Sequence, residues 1–173
     1  MIETLINDLK NFAKQDFPIS EVSNYLQNLI INDNSLKKYT FLSKKKYTRN
    51  LIHREKDFEI LLICWPPNID APIHGHEGEK CWARVEQGTL QICNYKEITK
   101  DPLKLTLLNK FSCDPGFLDG PADIHSVENI SDSFSTSLHI YAKPYDACDI
   151  YSLDKGSIER KKLSYHSISG IAC

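Results

Sequence analysis

Apolar residues in the first forty positions have the spacing of amphipathic helices. The first run of such residues is Ile2, Leu5, Ile6, Leu9, Phe12 and Ala13. Side chains at this spacing share one face of a helix, and Pro18 ends the run because proline does not continue a helix. A second helix is predicted to follow, with Ser20 as its N-cap. Its apolar positions are Val22, Tyr25, Leu26 and Leu29.

From about residue 45 the pattern changes to short β-rich segments separated by turn residues. The clearest segments span residues 58–65, 83–85, 90–95, 103–108, 127–130 and 135–141. No helical pattern between them is long enough to form the crossovers of a parallel sheet, so we expect antiparallel strands. The pattern predicts a mainly β protein, a small antiparallel β-barrel or sandwich with an N-terminal helical segment. We expect one domain, 1–173, in which helices within 1–44 pack on a barrel formed by 45–173.

Composition is that of an ordinary soluble domain. The chain has 173 residues, of which 41% are apolar and 25% charged, and this is enough to form one sizeable core. The formal net charge is -2, and apart from residues 44–46 the 21 basic residues are spread along the chain. A nucleic-acid interface needs clustered lysines and arginines, so we expect no nucleic-acid partner.

Three further features concern the compartment. The longest apolar run, residues 60–65, is far shorter than the roughly 20 residues of a membrane span, so we expect no membrane partner. The first eight residues carry acids instead of a basic region, which is not the pattern of a signal peptide. The six cysteines contain no C-x-x-C pair, and we expect reduced, mostly buried thiols. We therefore predict a cytoplasmic protein, and we expect a monomer.

Two histidines, His74 and His76, stand two positions apart. Because side chains alternate faces along a strand, both imidazoles are expected on the same side. Cys81 follows after four residues, and His125 lies much further along the chain. This spacing resembles the paired motifs of the cupins, in which His-x-His, a Glu and a distant His bind a metal inside a small β-barrel. Cys81 stands where those proteins have the Glu.

Replacing a carboxylate by cysteine changes the charge of such a site. Three neutral imidazoles leave a divalent metal with a net charge near +2, whereas two imidazoles and a carboxylate leave it near +1. The more electrophilic metal favours anionic ligands such as a thiolate. Glu77 and Glu79 are alternative carboxylate ligands, although they flank Gly78 in a predicted turn.

A row of polar side chains alternates with apolar ones near the carboxyl end. Ser137, His139 and Tyr141 are predicted on one face of a strand, with Leu138 and Ile140 on the other. If the polar face points into the barrel, its members must hydrogen-bond one another, because unpaired buried polar groups are costly. The alternative is a strand with one solvent-exposed face.

Several short motifs occur in one order along the chain. They are Tyr47-Thr48-Arg49-Asn50-Leu51, Cys64-Trp65, Ile73-His74-Gly75-His76, Cys81, Gln87-Gly88, His125-Ser126-Val127-Glu128-Asn129, Ser137-Leu138-His139-Ile140-Tyr141 and Tyr145-Asp146-x-Cys148. The same order is found in the cysteine dioxygenases, a thiol dioxygenase family of the cupin superfamily. From about residue 45 to its end, the chain resembles this family.

The resemblance implies a cupin-type barrel with a mononuclear non-haem Fe(II). Three histidines hold the iron in that family, and they match His74, His76 and His125. A cysteine and a tyrosine joined by a thioether cross-link match Cys81 and Tyr141.

The resemblance also implies a substrate and its contacts. The reaction is the addition of both atoms of O2 to the sulfur of free L-cysteine, which gives cysteine sulfinic acid. The arginine that receives the substrate carboxylate matches Arg49, with Tyr47 beside it. A Ser-His-Tyr relay matches Ser137, His139 and Tyr141.

Three rival functions stay open. A dioxygenase of the same family acting on 3-mercaptopropionate is the nearest, although such relatives tend to carry Gln where this chain has Arg49. A second is a non-enzymatic cupin whose metal is structural or absent. A third is an enzyme that oxidises the amino-terminal cysteine of proteins, which needs an open site for a peptide.

The sequence departs from the family pattern in two places. The family often has proline two residues after the relay tyrosine, whereas Ala142-Lys143-Pro144 puts the first proline at the third position. The loop at 66–71 is also less rich in Gly and Ser than the loops typical of the family. We expect this loop to affect access to the metal.

Overall fold

The amino-terminal apolar runs fold as helices in the computed structural model, which describes residues 1–121 and 123–173, with Asp33 described through its backbone only. Helix α1 spans Ile2–Ala13, α2 spans Ile19–Asn28, and a short α3 spans Asp33–Lys37. The prediction of Ser20 as the N-cap of α2 is wrong. The cap is Pro18, two residues earlier, with an extended backbone. The Pro18 carbonyl accepts the first backbone hydrogen bond from the Val22 amide.

Strands dominate the rest of the described chain. They are β1 Thr48–Arg54, β2 Glu59–Trp65, β3 Asp70–Gly75, β4 Lys80–Gln87, β5 Leu90–Lys100, β6 Leu103–Cys113, β7 Leu118–Asp119, β8 Ile124–Asn129, β9 Ser135–Ala142, β10 Ala147–Ser152, β11 Ser157–Lys162, β12 Ser167–Ile168 and β13 Ile171–Ala172. The prediction of a mainly β protein with an N-terminal helical segment is confirmed.

The strands form two sheets. One sheet has the order β13-β12-β1-β2-β9-β4-β7, and the other has the order β11-β10-β3-β8-β5-β6. Among the described strands no pairing joins the two sheets, so the fold is a cupin-type β-sandwich instead of a closed barrel. The sheets are antiparallel except at one place, where β1 pairs with β12 in parallel. This exception corrects the expectation of a wholly antiparallel sheet; β12 reaches β1 from the far end of the chain, so no crossover helix is needed.

The central strands β2 and β9 of the larger sheet are buried on both faces. In β2, the side chains of Ile60, Leu62 and Cys64 pack towards the amino-terminal helices. Leu61, Ile63 and Trp65 alternate with them and face the second sheet. Two cores result, one under the helices and one between the sheets, and a strand buried on both faces reads as a continuous apolar run.

The inner face of the larger sheet also carries the polar positions singled out in the sequence. Every residue of β9 is buried, and its apolar Leu138 and Ile140 belong to the helix-side core. By alternation, Ser137, His139 and Tyr141 point between the sheets.

Two further expectations can be checked against the fold. The cysteines are free thiols; five are buried and Cys173 is exposed, as expected. No helix of the described chain is long and apolar enough to cross a membrane.

Candidate metal and substrate site

Three histidines meet between the two sheets. His74 on β3 lies directly opposite His125 on β8, and His76 follows one residue after β3 ends. One ring nitrogen from each of the three lies within 4.8 Å of the others. The ring centroids are 4.7 to 5.2 Å apart. The structure therefore brings the three predicted ligands together around one point.

The protonation of these rings suits a metal. The Nδ1 of His74 lies 2.9 Å from the carbonyl oxygen of Pro72, which leaves Nε2 as the free nitrogen. Burial, reinforced by His125, lowers the pKa of His74 to about 3, and metals bind the neutral imidazole. The Nε2 of His125 is buried without a hydrogen-bond partner among the described residues, and such an atom calls for a ligand. The donor set of three imidazoles fits iron as well as zinc, copper or nickel.

Asp119, on the two-residue strand β7, contacts the Nδ1 side of the His125 ring. Its Oδ2 lies 3.5 Å from Nδ1 of His125, and its Oδ1 accepts a hydrogen bond from Asn94 at 2.9 Å. A carboxylate in this position fixes the ring orientation of a metal-binding histidine. Sequence reasoning missed Asp119, because nothing in its local sequence marks it.

The alternative carboxylate ligands lie elsewhere. Glu77 forms an ion pair with Arg160, and the Glu79 carboxylate is 3.9 Å from Nζ of Lys143. Within the described chain the metal-capable group contains the three histidines and neither glutamate.

The polar row of β9 forms a continuous hydrogen-bonded chain. Trp65 Nε1 donates to Ser137 Oγ at 2.8 Å, Ser137 Oγ lies 2.8 Å from Nε2 of His139, and Nδ1 of His139 lies 3.0 Å from the Tyr141 hydroxyl. Burial lowers the pKa of His139 and raises the pKa of Tyr141. A neutral imidazole has one donor and one acceptor nitrogen, so it can connect the two hydroxyls. The alternative of a solvent-exposed face is wrong, since this row is buried.

Cys81 and Tyr141 are direct neighbours across two strands. They are paired in the register of β4 and β9, and residues opposed in this way have Cβ atoms roughly 5 Å apart. Both side chains belong to the core between the sheets. Burial raises the pKa of the Cys81 thiol well above its usual range.

Arg49 is buried on β1 and points into the same space. Its guanidinium carbon lies 5.5 Å from the ring centre of Tyr145 and 5.7 Å from that of Tyr165. One nitrogen, Nη2, is 3.5 Å from Oε1 of Glu59. The Nε atom is buried with no hydrogen-bond partner among the described residues. Tyr47, two positions before Arg49, packs on Trp65 with ring centres 5.1 Å apart.

One cavity joins these groups. Its walls include the predicted residues Tyr47, Arg49, His74, His125, His139 and Tyr141. It has an inner volume of about 20 Å³. A second cavity of about 200 Å³ shares Tyr47, Arg49, Lys161 and Leu163 with it. The two cavities therefore share a wall that contains Arg49.

Four further residues of the site had no assigned role in the sequence. Tyr145 places its ring 4.9 Å from that of Tyr141 and 5.9 Å from that of His76. Cys148 lines the cavity. Glu59 and Tyr165 contact Arg49 from outside the inner cavity walls. Burial raises the pKa of the Glu59 carboxyl, and the Tyr165 hydroxyl and Arg49 oppose that shift.

Fold and site together define a β-sandwich of the cupin type with a three-histidine centre beside a buried arginine. The family model for cysteine dioxygenase type I matches residues 2–154. The chain therefore belongs to the cysteine dioxygenase type I family, as the sequence motifs predicted. Membership supports a thiol dioxygenase, an oxidoreductase.

Individual relatives agree with this assignment. Cysteine dioxygenase type 1 of Bos taurus is 25% identical over 167 residues, which cover 92% of this chain and 82% of the relative. The protein of the same name from Danio rerio is 24% identical over 178 residues, covering 98% and 88%. Among solved structures, TT1209 from Thermus thermophilus aligns with a TM-score of 0.52 at 20% identity, over 67% of this chain and 100% of its own. This last similarity shows the fold alone.

Proposed function

We propose that the protein is a mononuclear non-haem iron dioxygenase that adds both atoms of O2 to the sulfur of free L-cysteine, giving cysteine sulfinic acid. The observation that carries the proposal is the placement of Arg49. A buried guanidinium with an unpartnered Nε lines the same cavity as two of the three clustered histidines. A site with a metal-capable group and a carboxylate anchor suits a small thiol that carries a carboxylate.

His74, His76 and His125 would hold the iron. Bound there, Fe(II) supplies the activation of O2 and a binding position for the substrate sulfur. Three neutral imidazoles leave the metal charge uncompensated, which favours a thiolate ligand. Asp119 keeps the His125 ring in place through Nδ1.

Arg49 would bind the substrate carboxylate. A planar guanidinium forms charge-assisted hydrogen bonds to a carboxylate in a fixed orientation, which lysine does not reproduce. Anchoring this end of the substrate places its sulfur at a defined position, and orientation of this kind lowers the barrier of the reaction. Tyr47, held by Trp65, forms the adjacent wall.

Tyr141 would orient the substrate from the other side. Its hydroxyl is fixed by His139, which Ser137 and Trp65 hold in turn. The phenol can donate a hydrogen bond to the substrate carboxylate. A thioether between Sγ of Cys81 and a ring carbon of Tyr141 would hold the phenol still; it forms with loss of two hydrogens, and O2 is the oxidant.

Two rival substrates, the amino termini of proteins and 3-mercaptopropionate, suit the site less well than L-cysteine. Enzymes that act on protein amino termini need an open site for a peptide, and a carboxylate-binding Arg49 would exclude a peptide bond at that position. Arg49 favours L-cysteine over 3-mercaptopropionate, by the family resemblance. We further propose a cytoplasmic protein, because the free thiols of the described chain suit a reducing compartment. For its oligomeric state we propose a monomer.

Oxygen uptake by the iron-loaded protein tests the proposal. L-cysteine and 3-mercaptopropionate are compared at equal concentrations, with the product identified by mass, for the wild type and for Arg49→Gln. Lys110→Gln, which removes a positive charge from exposed β6, is the control. Faster uptake with L-cysteine that falls in Arg49→Gln alone supports the proposal. Preference for 3-mercaptopropionate overturns the proposed substrate, and no uptake with either thiol favours a non-enzymatic cupin.

A further inference from the structure

A buried acid shares the guanidinium that would anchor the substrate. Glu59 starts β2, paired with Arg54 on one side and with Tyr141 on the other. Its side chain is 0% exposed. Oε1 lies 3.5 Å from Nη2 of Arg49, and Oε2 accepts a hydrogen bond from the Tyr165 hydroxyl at 2.5 Å. A buried carboxylate persists only where charge and hydrogen bonds compensate it, and Glu59 has both.

Glu59 shares the guanidinium of Arg49 with two aromatic rings. The rings of Tyr145 and Tyr165 lie 5.5 and 5.7 Å from the guanidinium carbon, within the range of a cation–π contact. Both rings are neutral, whereas Glu59 brings a carboxylate to the guanidinium.

Two carboxylates already pair with Arg49 and its neighbour Arg54 without a ligand. Oε2 of Glu59 is 3.8 Å from Nη1 of Arg54, and Arg54 makes a bidentate pair with Asp146 at 2.6 and 3.1 Å. This group contains two arginines and two carboxylates. A substrate carboxylate at Arg49 adds a third acid to two cations, and like charges that share a partner weaken each other's binding.

We propose that Glu59 determines how strongly and how selectively the site binds carboxylate-bearing thiols, by competing for Arg49 from the protein side. The inference rests on the proposed function, in which Arg49 anchors the carboxylate. Glu59 compensates the buried guanidinium when no ligand is bound. It also favours release of the product, which carries a sulfinate in addition to the carboxylate.

Glu59→Gln tests this directly, because it removes the charge and keeps the size and one oxygen of the side chain. Dissociation constants are measured by calorimetry on the iron-loaded protein without O2. The two ligands are L-cysteine and 2-aminoethanethiol, which differ by the carboxylate alone. We expect L-cysteine to bind about tenfold more tightly to the variant, equivalent to about 1.4 kcal/mol, with 2-aminoethanethiol unchanged. Glu55→Gln, a glutamate that pairs with Lys10 and His53 away from the cavity, should leave both constants unchanged.

A second variant keeps the test valid if Glu59→Gln folds poorly. Glu59→Met removes the charge and keeps the length of the side chain without placing a polar group in the buried position. The preference for L-cysteine should rise above that of the wild type, as in Glu59→Gln.

The outcomes separate the two proposals. A wild type that prefers L-cysteine, with an unchanged preference in Glu59→Gln, overturns the role of Glu59 and leaves the proposed function intact. Equally weaker binding of both ligands in Glu59→Gln indicates a structural role for Glu59 and also overturns the proposed competition for Arg49. A wild type without any preference for L-cysteine overturns the carboxylate anchor itself.

Discussion

Asp119 has a role that a single conservative substitution can test. Its Oδ2 lies 3.5 Å from Nδ1 of His125, the ring nitrogen that would not bind the metal. Carboxylates in this position raise the affinity of histidine for a metal. Asp119→Asn preserves the shape and removes the charge, so we expect metal affinity to fall about 10- to 100-fold. Competition with a chelator measures this affinity. Asp114→Asn, an exposed acid bonded to Thr89, is the control; equal affinities in all three proteins would contradict the role.

The Tyr141 hydroxyl should affect turnover more than binding. It is buried at the end of the chain that runs from Trp65 through Ser137 and His139. Tyr141 is proposed to orient the bound substrate, and a misplaced substrate can react about 100-fold more slowly, so Tyr141→Phe should lower kcat about 10- to 100-fold with a small change in KM. Steady-state oxygen uptake separates the two constants. A large rise in KM at constant kcat would refute this role.

Site residues were predictable from the sequence where a local spacing carries the chemistry. His74 and His76 follow the period of a strand, and so do Ser137, His139 and Tyr141. Asp119, Glu59, Tyr145 and Tyr165 were not predictable, because their contacts arise between elements distant in sequence. Even the apolar run of β2 gave no sign that the acid at its start is buried.

At the scale of elements, α1 stabilises the sandwich by covering its outer core. Leu9 is 0% exposed and lies in the helix-side core. Leu9→Ala should lower the free energy of unfolding by about 2 to 5 kcal/mol through the lost contacts and the cavity left behind. Urea denaturation measures the change. Leu107→Ala, at a position 50% exposed on β6, should change it by less than about 0.5 kcal/mol; equal effects would contradict the packing described.

The buried thiol of Cys64, on β2, should lower the free energy of unfolding at high pH. Burial raises its pKa from 9.0 to about 11. The folded state therefore holds the thiol proton more tightly than the unfolded state. The resulting stabilisation of the folded protein is complete below pH 9 and is lost as the pH rises towards 11. Two pH units correspond to about 3 kcal/mol. Urea unfolding at pH 8 and pH 11 should show a smaller loss of stability in Cys64→Ala than in the wild type. An identical loss in both proteins would show that the thiol is not responsible.

Elements with a continuous or alternating apolar pattern were predicted, and those at the carboxyl end were not. Strand β11 consists largely of exposed charged residues, so no apolar pattern marks it. Strand β12 has two residues and pairs in parallel with β1. Such strands are defined by backbone pairing, which leaves little trace in the side-chain pattern.

The reaction proposed for the whole molecule is the addition of both atoms of one O2 to a thiol. The iron-loaded protein is incubated with L-cysteine under ¹⁸O2, and the product is analysed by mass spectrometry. We predict a sulfinic acid that carries two ¹⁸O atoms. A product with one labelled oxygen or none, or oxidation to the disulfide, would rule out dioxygenation of the thiol.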